Sequence, residues 1–269
     1  FISTATSVLH VGATPVFADI TADTLSIDPE DVRSRITDRT KAIVPVHYGG
    51  QAADLKALQS LADDAGVMLL EDAAQAHGAS IHGQPVGSWG RAAMFSFTPA
   101  KNITCGEGAV VTTNDADLAQ QLRLLRNHGM TRQYHHELVG FNWRLSEIQA
   151  AIGCTQLTRL DEILAAKRAN AEIMAELLGT IDGLSIPMNP PDREHPYMLY
   201  TVQIDGGRRD AAEAALSAAG IESRIYFPPI HRQPIFADLE DPGLPTTDLL
   251  ADRILSLPFH SRLRRAARE

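Results

Sequence analysis

Residues 41–72, KAIVPVHYGGQAADLKALQSLADDAGVMLLED, contain two short apolar runs with an amphipathic segment between them. The runs KAIVPVH (41–47) and VMLLED (67–72) are continuous, as in strands buried on both faces. The segment between them, DLKALQSLADDAG (54–66), has helical spacing and ends at Gly66, a common residue just after a helix. A strand–helix–strand order with continuous apolar strands predicts a mostly parallel sheet covered by helices.

The segments before residue 41 continue this alternation. Ser3 to His10 is predicted as a helix and residues 16–19, VFAD, as a strand. DPEDVRSRI (28–36) is predicted as a helix, with Asp28 as its N-cap and Pro29 at the first helical position. The first two-thirds of the chain therefore belong to the α/β class.

The pattern changes after Leu145, where apolar residues recur at helical spacing through a long segment. We expect one linking helix there. A strand, a helix and a further strand are predicted after it, at 197–205, 210–220 and 221–227. We therefore predict a large domain at 1–155 and a smaller C-terminal α+β domain at 156–269.

Charge and composition limit the classes of partner. The chain has 269 residues, of which 44% are hydrophobic, and a formal net charge of −9, which argues against nucleic-acid binding. A basic cluster near the end is predicted to be the solvated face of a C-terminal helix; it comprises Arg262, Arg264, Arg265 and Arg268. No apolar run has the length of a membrane span, so we expect no membrane partner.

The two cysteines, Cys105 and Cys154, have neither metal-ligand spacing nor a disulfide pattern. This usage fits a reducing compartment, and we expect a cytoplasmic protein that binds no metal. The chain begins at Phe1, in what resembles the middle of a domain, and we expect it to be a fragment lacking an N-terminal segment.

A single lysine stands in FSFTPAKNITCGEGA (95–109), on a predicted loop between two apolar strands. Loops held by a rigid scaffold often carry chemistry, and lysine is rarely buried unless it is paired or used. Lys101 is therefore either an ordinary loop lysine or a reactive amine.

Asp72 ends a predicted buried strand, at the sheet edge where open α/β sheets bind ligands. By itself it could be the N-cap of the next helix. A lysine amine, however, condenses with aldehydes, and pyridoxal phosphate (PLP) enzymes pair that lysine with an acid at the pyridine nitrogen. A strand-end aspartate, a later strand and then Lys101 together predict a PLP site.

Three motifs, EDAAQAHGA (71–79), FSFTPAKNITCGEGA and GFNWRLSEIQAAIG (140–153), stand in the order found in the DegT/DnrJ/EryC1/StrS family. The segments 41–55 and 224–236 also resemble that family, so the resemblance covers essentially the whole chain. It implies a fold-type I PLP-dependent transferase, similar to aspartate aminotransferase, and PLP as the cofactor.

The resemblance implies roles for residues around the cofactor. Lys101 would be the Schiff-base lysine, and Asp72 would pair with the pyridinium nitrogen. Gln75 would hydrogen-bond the ring hydroxyl, and Ser96 would contact the phosphate. Without the resemblance, Ser96 would be interpreted as a cap at the end of a strand.

Three further positions follow from the same resemblance. Ala74 would pack on one face of the cofactor ring and Phe1 on the other. Asn142 would reach the phosphate bound by the neighbouring subunit, which implies a homodimer with shared active sites. Turn chemistry is the alternative for Asn142.

Three of the ten histidines lie near the predicted site. His47 follows a buried strand, and His231 lies in a segment that resembles the family's substrate-side loop. Both are candidate substrate contacts, although a structural role is the commoner one. His77 is predicted to be a packing or capping residue.

The resemblance implies transfer of an amino group from an amino acid, L-glutamate, to a nucleotide-linked keto sugar in amino-sugar biosynthesis. The loop NITCGEGA (102–109) resembles members that aminate C4. A sugar dehydratase of the same scaffold would carry histidine in place of Lys101. A non-catalytic regulatory or dimerisation protein would have no need to retain Asp72, Gln75, Ser96 and Lys101 together.

Overall fold

The computed structural model describes residues 1–263. Its helices are α1 (Ile2–His10), α2 (Pro29–Arg35), α3 (Leu55–Ala65), α4 (Ala116–Arg126), α5 (Glu147–Leu157), α6 (Leu160–Leu178), α7 (Arg209–Ala218) and α8 (Pro245–Ala251). Its strands are β1 (Ala42–Ile43), β2 (Met68–Asp72), β3 (Ser80–Ile81), β4 (Gln84–Pro85), β5 (Ala92–Ser96), β6 (Ala109–Thr112), β7 (Met130–Arg132), β8 (His135–His136), β9 (Leu184–Ser185), β10 (Arg193–Glu194), β11 (Tyr200–Ile204) and β12 (Ile254–Leu257).

The central sheet has the strand order β1-β2-β5-β6. The pairs β1–β2 and β2–β5 are parallel, so the carboxyl ends of these three strands meet at one edge. β6 is antiparallel to β5 because only a loop joins the two strands, without a crossover helix. The prediction of an α/β protein with a mostly parallel sheet is confirmed.

Local signals fix the helices that cover this sheet. The Asp54 side chain accepts a hydrogen bond from the amide of Ala57 at the start of α3, and Gly66 ends that helix with a φ of 64°. Asp28 caps α2 in the same manner, with Pro29 at its first position, as predicted. The buried face of α3 packs into the sheet core and comprises Leu55, Leu58, Leu61 and Ala62.

Two predicted strands are wrong. Residues 16–19 form no strand, since the amide of Asp19 donates to the side chain of Asp31 and the Asp19 side chain binds the start of α8. Residues 221–227 are irregular except at Arg224, which forms one bridge with Ser256. Asp19 thus uses side-chain contacts where a strand would need a backbone ladder, whereas the backbone pairing of 221–227 is limited to the one bridge at Arg224.

The prediction of one continuous linking helix is also wrong. The segment consists of α5 and α6, which are separated by Thr158 and Arg159. Ser146 starts α5 with a reciprocal capping box to Gln149. The predicted domain boundary at 155/156 falls inside α5 and stays a prediction.

The C-terminal part of the described chain has its own sheet, in the order β12-β11-β9, which is entirely antiparallel. Residues of α6 pack on this sheet, forming a second core around Tyr200, Val202 and Leu255. No helix within residues 1–263 is long and apolar enough to cross a membrane. Of the basic cluster predicted to form a C-terminal helix, Arg262 lies in a turn, and Arg264, Arg265 and Arg268 lie outside the described residues.

Candidate active site

Asp72 is the last residue of β2, at the carboxyl edge of the parallel strands. Its backbone is held by the strand beside it, because its amide donates to Pro45 O at 2.9 Å and its carbonyl accepts from the amide of His47. Oδ1 accepts from the amide of Ala74 at 3.1 Å, and Oδ2 accepts from the hydroxyl of Thr4 at 2.5 Å. These bonds fix the carboxylate while leaving acceptor capacity on both oxygens.

Lys101 lies in the loop between β5 and β6, where its amide donates to Thr98 O at 3.1 Å. Its Nζ has no hydrogen-bond or ion-pair partner within residues 1–263. Burial lowers the pKa of the Lys101 amine, while the negative charge of Asp72 acts in the opposite direction. A partly desolvated amine with a lowered pKa has a larger neutral, nucleophilic fraction than an ordinary lysine.

His77 lies near Lys101 and packs against two aromatic rings, Phe95 and Phe97, with ring centroids 5.4 and 5.0 Å away. The residue is buried, as expected for a packing role. Burial, followed by the charge of Lys101, lowers the pKa of His77 to about 4, so the ring is neutral at pH 7.

Gln75 follows Asp72 in a buried turn. Its Oε1 accepts a 2.6 Å hydrogen bond from the amide of Gly49, in the segment after β1. Gly50 has a φ of 100°, and a Cβ there would lie 2.7 Å from Pro196 Cγ, so this close approach requires glycine. The side-chain oxygen of Gln75 is thus occupied, and its amide group remains to donate.

Ser96 ends β5, next to Asp72 at the same edge of the sheet. Its Oγ accepts from the amide of Thr98 at 3.4 Å and lies 3.4 Å from Thr98 Oγ1. These long contacts hold the hydroxyl at the start of the Lys101 loop.

Phe1 precedes α1, which brings its backbone to the site. Its backbone nitrogen lies close to both Asp72 and Lys101. Its ring is 58% exposed and packs edge-to-face on Phe227, 5.6 Å between centroids. Phe1, Thr4, Asp72 and Lys101 therefore meet in one place.

Asn142 lies apart from that group, in the exposed segment before α5. Its Oδ1 accepts from Arg144 Nε at 2.8 Å, and its backbone bridges to Asn127. Within residues 1–263 it makes no contact with Asp72 or Lys101, and its predicted role at the neighbouring subunit's phosphate stays a prediction.

The structure gives His47 buried protein partners, and its predicted contact with substrate stays a prediction. His47 is fully buried; its Nε2 lies 3.3 Å from Glu71 Oε2, and its Nδ1 accepts from the amide of Ala53. Glu71 also accepts from the amides of Gly87, Trp89 and Gly90. His47 therefore belongs to a buried hydrogen-bond network with Glu71 and the amide of Ala53.

His231 lies elsewhere, in a short 3₁₀ turn beside α8. Its Nε2 is 3.1 Å from Asp248 Oδ1. It lines a cavity of about 270 Å³ together with Phe17, Arg232 and Phe236. The predicted substrate role of His231 stays a prediction.

Sequence reasoning missed Thr4, whose hydroxyl reaches Asp72. The stretch STATS (3–7) contains four hydroxyl residues, and nothing in their spacing singles out Thr4. Only the packing of α1 against the end of β2 selects it.

The residues present fit PLP. A half-buried amine without a partner stands beside a carboxylate that is anchored through both oxygens, with a hydroxyl at the end of the neighbouring strand. This donor set matches an aldehyde, a pyridine nitrogen and a phosphate. Fold and site together define a fold-type I PLP-dependent transferase.

Comparison with known proteins gives the family. The model of the DegT/DnrJ/EryC1/StrS aminotransferase family matches residues 1–269, and the chain belongs to that family. It is a PLP-dependent sugar aminotransferase.

Individual relatives agree. The chain is 43% identical over 266 residues to the UDP-N-acetyl-3-dehydro-alpha-D-glucosamine 3-aminotransferase of Acidithiobacillus ferrooxidans, covering 98% of this chain and 71% of the relative. It is 39% identical over 269 residues to the dTDP-3-amino-3,4,6-trideoxy-alpha-D-glucose transaminase of Streptomyces venezuelae, covering 98% and 70%. The crystal structure of S. venezuelae DesV in complex with a ketimine intermediate superposes with a TM-score of 0.95 at 39% identity, covering 100% of this chain and 73% of DesV.

Proposed function

We propose that the protein transfers the amino group of L-glutamate to the ketone of a nucleotide-linked sugar, giving 2-oxoglutarate and an amino sugar for amino-sugar biosynthesis. The observation that carries the proposal is the unpartnered, half-buried Lys101 amine beside the anchored Asp72 carboxylate. PLP, when bound, supplies an electron-accepting ring and carries the amino group between the two substrates.

Lys101 and Asp72 are the proposed catalytic residues. Lys101 Nζ would hold the cofactor and would move the proton at the reacting carbon. Asp72 keeps the pyridine nitrogen protonated. Its hydrogen bonds from Thr4 and Ala74 hold the carboxylate in place for this role.

Five other residues complete the proposed cofactor site. The Gln75 amide donates to the ring hydroxyl, which is consistent with its oxygen being occupied by Gly49. Ser96 binds the phosphate, while Ala74 and Phe1 cover the two ring faces. Asn142 binds the phosphate of the partner subunit, because it lies on an exposed segment away from its own Lys101.

A homodimer is proposed on the exposed apolar surface around Asn142. Trp143 is 67% exposed and Ile148 is 76% exposed, and the rings of Phe141 and Trp143 stack 3.9 Å apart. A surface of this kind marks an interaction site. Ile148→Asp should give monomers in light scattering, whereas the control Ile181→Asp, at an isoleucine that is 48% exposed on another surface, should stay dimeric. Dimers in both variants would refute this interface.

The carbon that accepts the amino group is part of the proposal. The loop 102–109 predicts C4, but both relatives described above are named for C3. We therefore propose a 3-keto sugar as the acceptor, with the 4-keto isomer as the alternative. Turnover with each isomer, presented on UDP and on dTDP, decides between them.

His231 is proposed as an acceptor-side contact because it lines a cavity with an arginine and aromatic rings. His231→Asn should raise the KM for the sugar and leave that for glutamate unchanged. An unchanged KM for the sugar would refute a substrate role of His231 and leave it the structural contact with Asp248.

A cytoplasmic location is proposed on the state of the cysteines. Cys105 and Cys154 are both free, as expected in a reducing compartment. Fractionation of the source cells would test it, and recovery outside the cytoplasm would refute it.

The decisive experiment is cofactor attachment at Lys101. The protein with added PLP should show a visible absorbance band that L-glutamate bleaches, and borohydride reduction should leave the cofactor on the peptide that contains Lys101. Lys101→Ala should lose the band, while the control Lys56→Ala, an exposed lysine of α3, should keep it. Attachment elsewhere, or wild-type turnover by Lys101→Ala, would refute the assignment.

A further inference from the structure

Lys167 of α6 is a buried lysine without a carboxylate partner among residues 1–263. It is 5% exposed, and its Nζ donates to Asn102 Oδ1 at 2.9 Å. The ring of Phe259 lies 5.1 Å from the same nitrogen. Lysine is almost never buried unless it is paired, so a lysine at this position needs a reason beyond packing.

The acceptor, Asn102, directly follows Lys101. Its oxygen is bound by Lys167, and its Nδ2 donates to Pro196 O at 3.0 Å. Both the oxygen and the nitrogen of the Asn102 side chain are therefore bound by residues outside the loop. This anchored residue is the immediate neighbour of Lys101 in the chain.

The rest of the loop is fixed by burial. Ile103 and Cys105 are buried in a small core with Phe97. On the other side of Lys101, its amide closes a turn on Thr98. The Thr104 hydroxyl also ties this segment to Phe97 O, at 2.9 Å. Asn102 is thus one polar attachment of the loop segment that follows Lys101, and Lys167 is the charged partner of Asn102.

We propose that Lys167 is a positioning residue, which holds Lys101 at the reaction centre through the side chain of Asn102. The proposal rests on the proposed function, since it requires Lys101 to be the reacting amine. A cationic donor makes a stronger hydrogen bond than a neutral one, and it links α6 directly to the catalytic loop.

The surroundings of Lys167 favour this role over ion pairing. Burial lowers the pKa of Lys167 to about 8, while burial and then the charges of Lys167 and Arg168 lower the pKa of His195 to about 3. His195 is therefore neutral at pH 7, and its Nδ1 already accepts from the amide of Tyr197. Lys167 Nζ therefore donates to Asn102 and not to His195.

The test uses Lys167→Met, which keeps most of the volume without the donor, and Asn102→Ala, which removes the acceptor. Each should lower kcat by about 10- to 100-fold, the effect of small misplacement of a reacting group, with the sugar KM within about twofold. The double variant should be no worse than Asn102→Ala alone, because the contact that Lys167→Met removes is already absent in that variant. Lys167→Arg should restore kcat at least in part, and Lys56→Met is the control.

A second readout needs no cofactor or substrate. The rate at which trinitrobenzenesulfonate labels Lys101, followed by peptide mass spectrometry across pH, should change in Lys167→Met and Asn102→Ala and not in Lys56→Met. A lower melting temperature with unchanged kcat and labelling would overturn the proposal and leave Lys167 a structural residue. If Lys167→Met fails to fold, unchanged kcat and labelling in Asn102→Ala would overturn it equally.

Failure of the proposed function can be distinguished from failure of the Lys167 proposal. In that case the wild-type protein would not attach PLP at Lys101. Failure of the Lys167 proposal leaves wild-type attachment intact and shows only in the variants.

Discussion

Thr4 Oγ1 donates a 2.5 Å hydrogen bond to Asp72 Oδ2, although the two residues are 68 positions apart in the chain. The bond crosses from α1 to the end of β2. Together with the amide of Ala74 on Oδ1, it leaves the carboxylate one orientation.

Thr4→Val keeps the shape of the side chain and removes this donor. A hydrogen bond to a charged group contributes about 1.5–3 kcal/mol, so PLP affinity should fall by about 10-fold or more. Fluorescence titration of PLP measures it. Thr4→Ser should restore the affinity, and Thr6→Val, whose hydroxyl faces only Ser3 O, should not change it. Equal affinity in Thr4→Val and wild type would show that Asp72 needs no support from α1.

Asp72→Asn should move the titration of Lys101 to lower pH. Burial lowers the pKa of the Lys101 amine and the Asp72 charge raises it, so removing that charge lowers the pKa further. The pH profile of Lys101 labelling by trinitrobenzenesulfonate should therefore shift to the acid side. Glu107→Gln, an exposed glutamate of the same loop, is the control. A shift to higher pH would contradict the charge interaction.

His47→Leu should destabilise the protein without affecting the sugar KM. The substitution leaves the amide of Ala53 without its acceptor and removes one donor from Glu71, at a cost of about 1–3 kcal/mol for each unsatisfied buried group. Urea unfolding measures the loss, and initial rates measure the KM. A raised sugar KM at unchanged stability would support the sequence-based prediction of a substrate contact.

Asp19→Ala should lower stability at neutral pH and matter less in acid. Burial raises the pKa of Asp19, but hydrogen bonds from Thr246, Thr247 and Ile20 outweigh it and hold the pKa below its ordinary value. The stabilisation, about 2 kcal/mol for hydrogen bonds to a charged group, is therefore complete above the unfolded-state pKa near 4. It is lost as the pH falls through the folded-state pKa.

Urea midpoints at pH 7 and at successively lower pH measure this effect. The difference between wild type and Asp19→Ala should shrink below about pH 4, where the unfolded carboxyl takes up its proton. Asp38→Ala, at an exposed position, should match wild type throughout. A difference that persists in acid would mean that Asp19 stabilises through packing alone.

Local signals predicted the elements where neighbouring residues decide the outcome. Asp28 with Pro29 starts α2, Gly66 ends α3, and the apolar run 67–72 forms β2. The failures have a common cause. Residues 16–19 have the composition of a strand but form no backbone ladder. The Asp19 side chain instead hydrogen-bonds the start of α8, which is far away in the chain.

The sequence by itself determined the α/β class and the family motifs, because strand periodicity and motif order are properties of the chain. The tertiary structure alone decided that His47 is buried against Glu71, that Thr4 supports Asp72, and that Lys167 reaches Asn102. These contacts join residues 24, 68 and 65 positions apart, and their partners are set by how helices pack on strands. The spacing of residues along the chain does not predict these contacts, because it does not specify which helix packs against which strand.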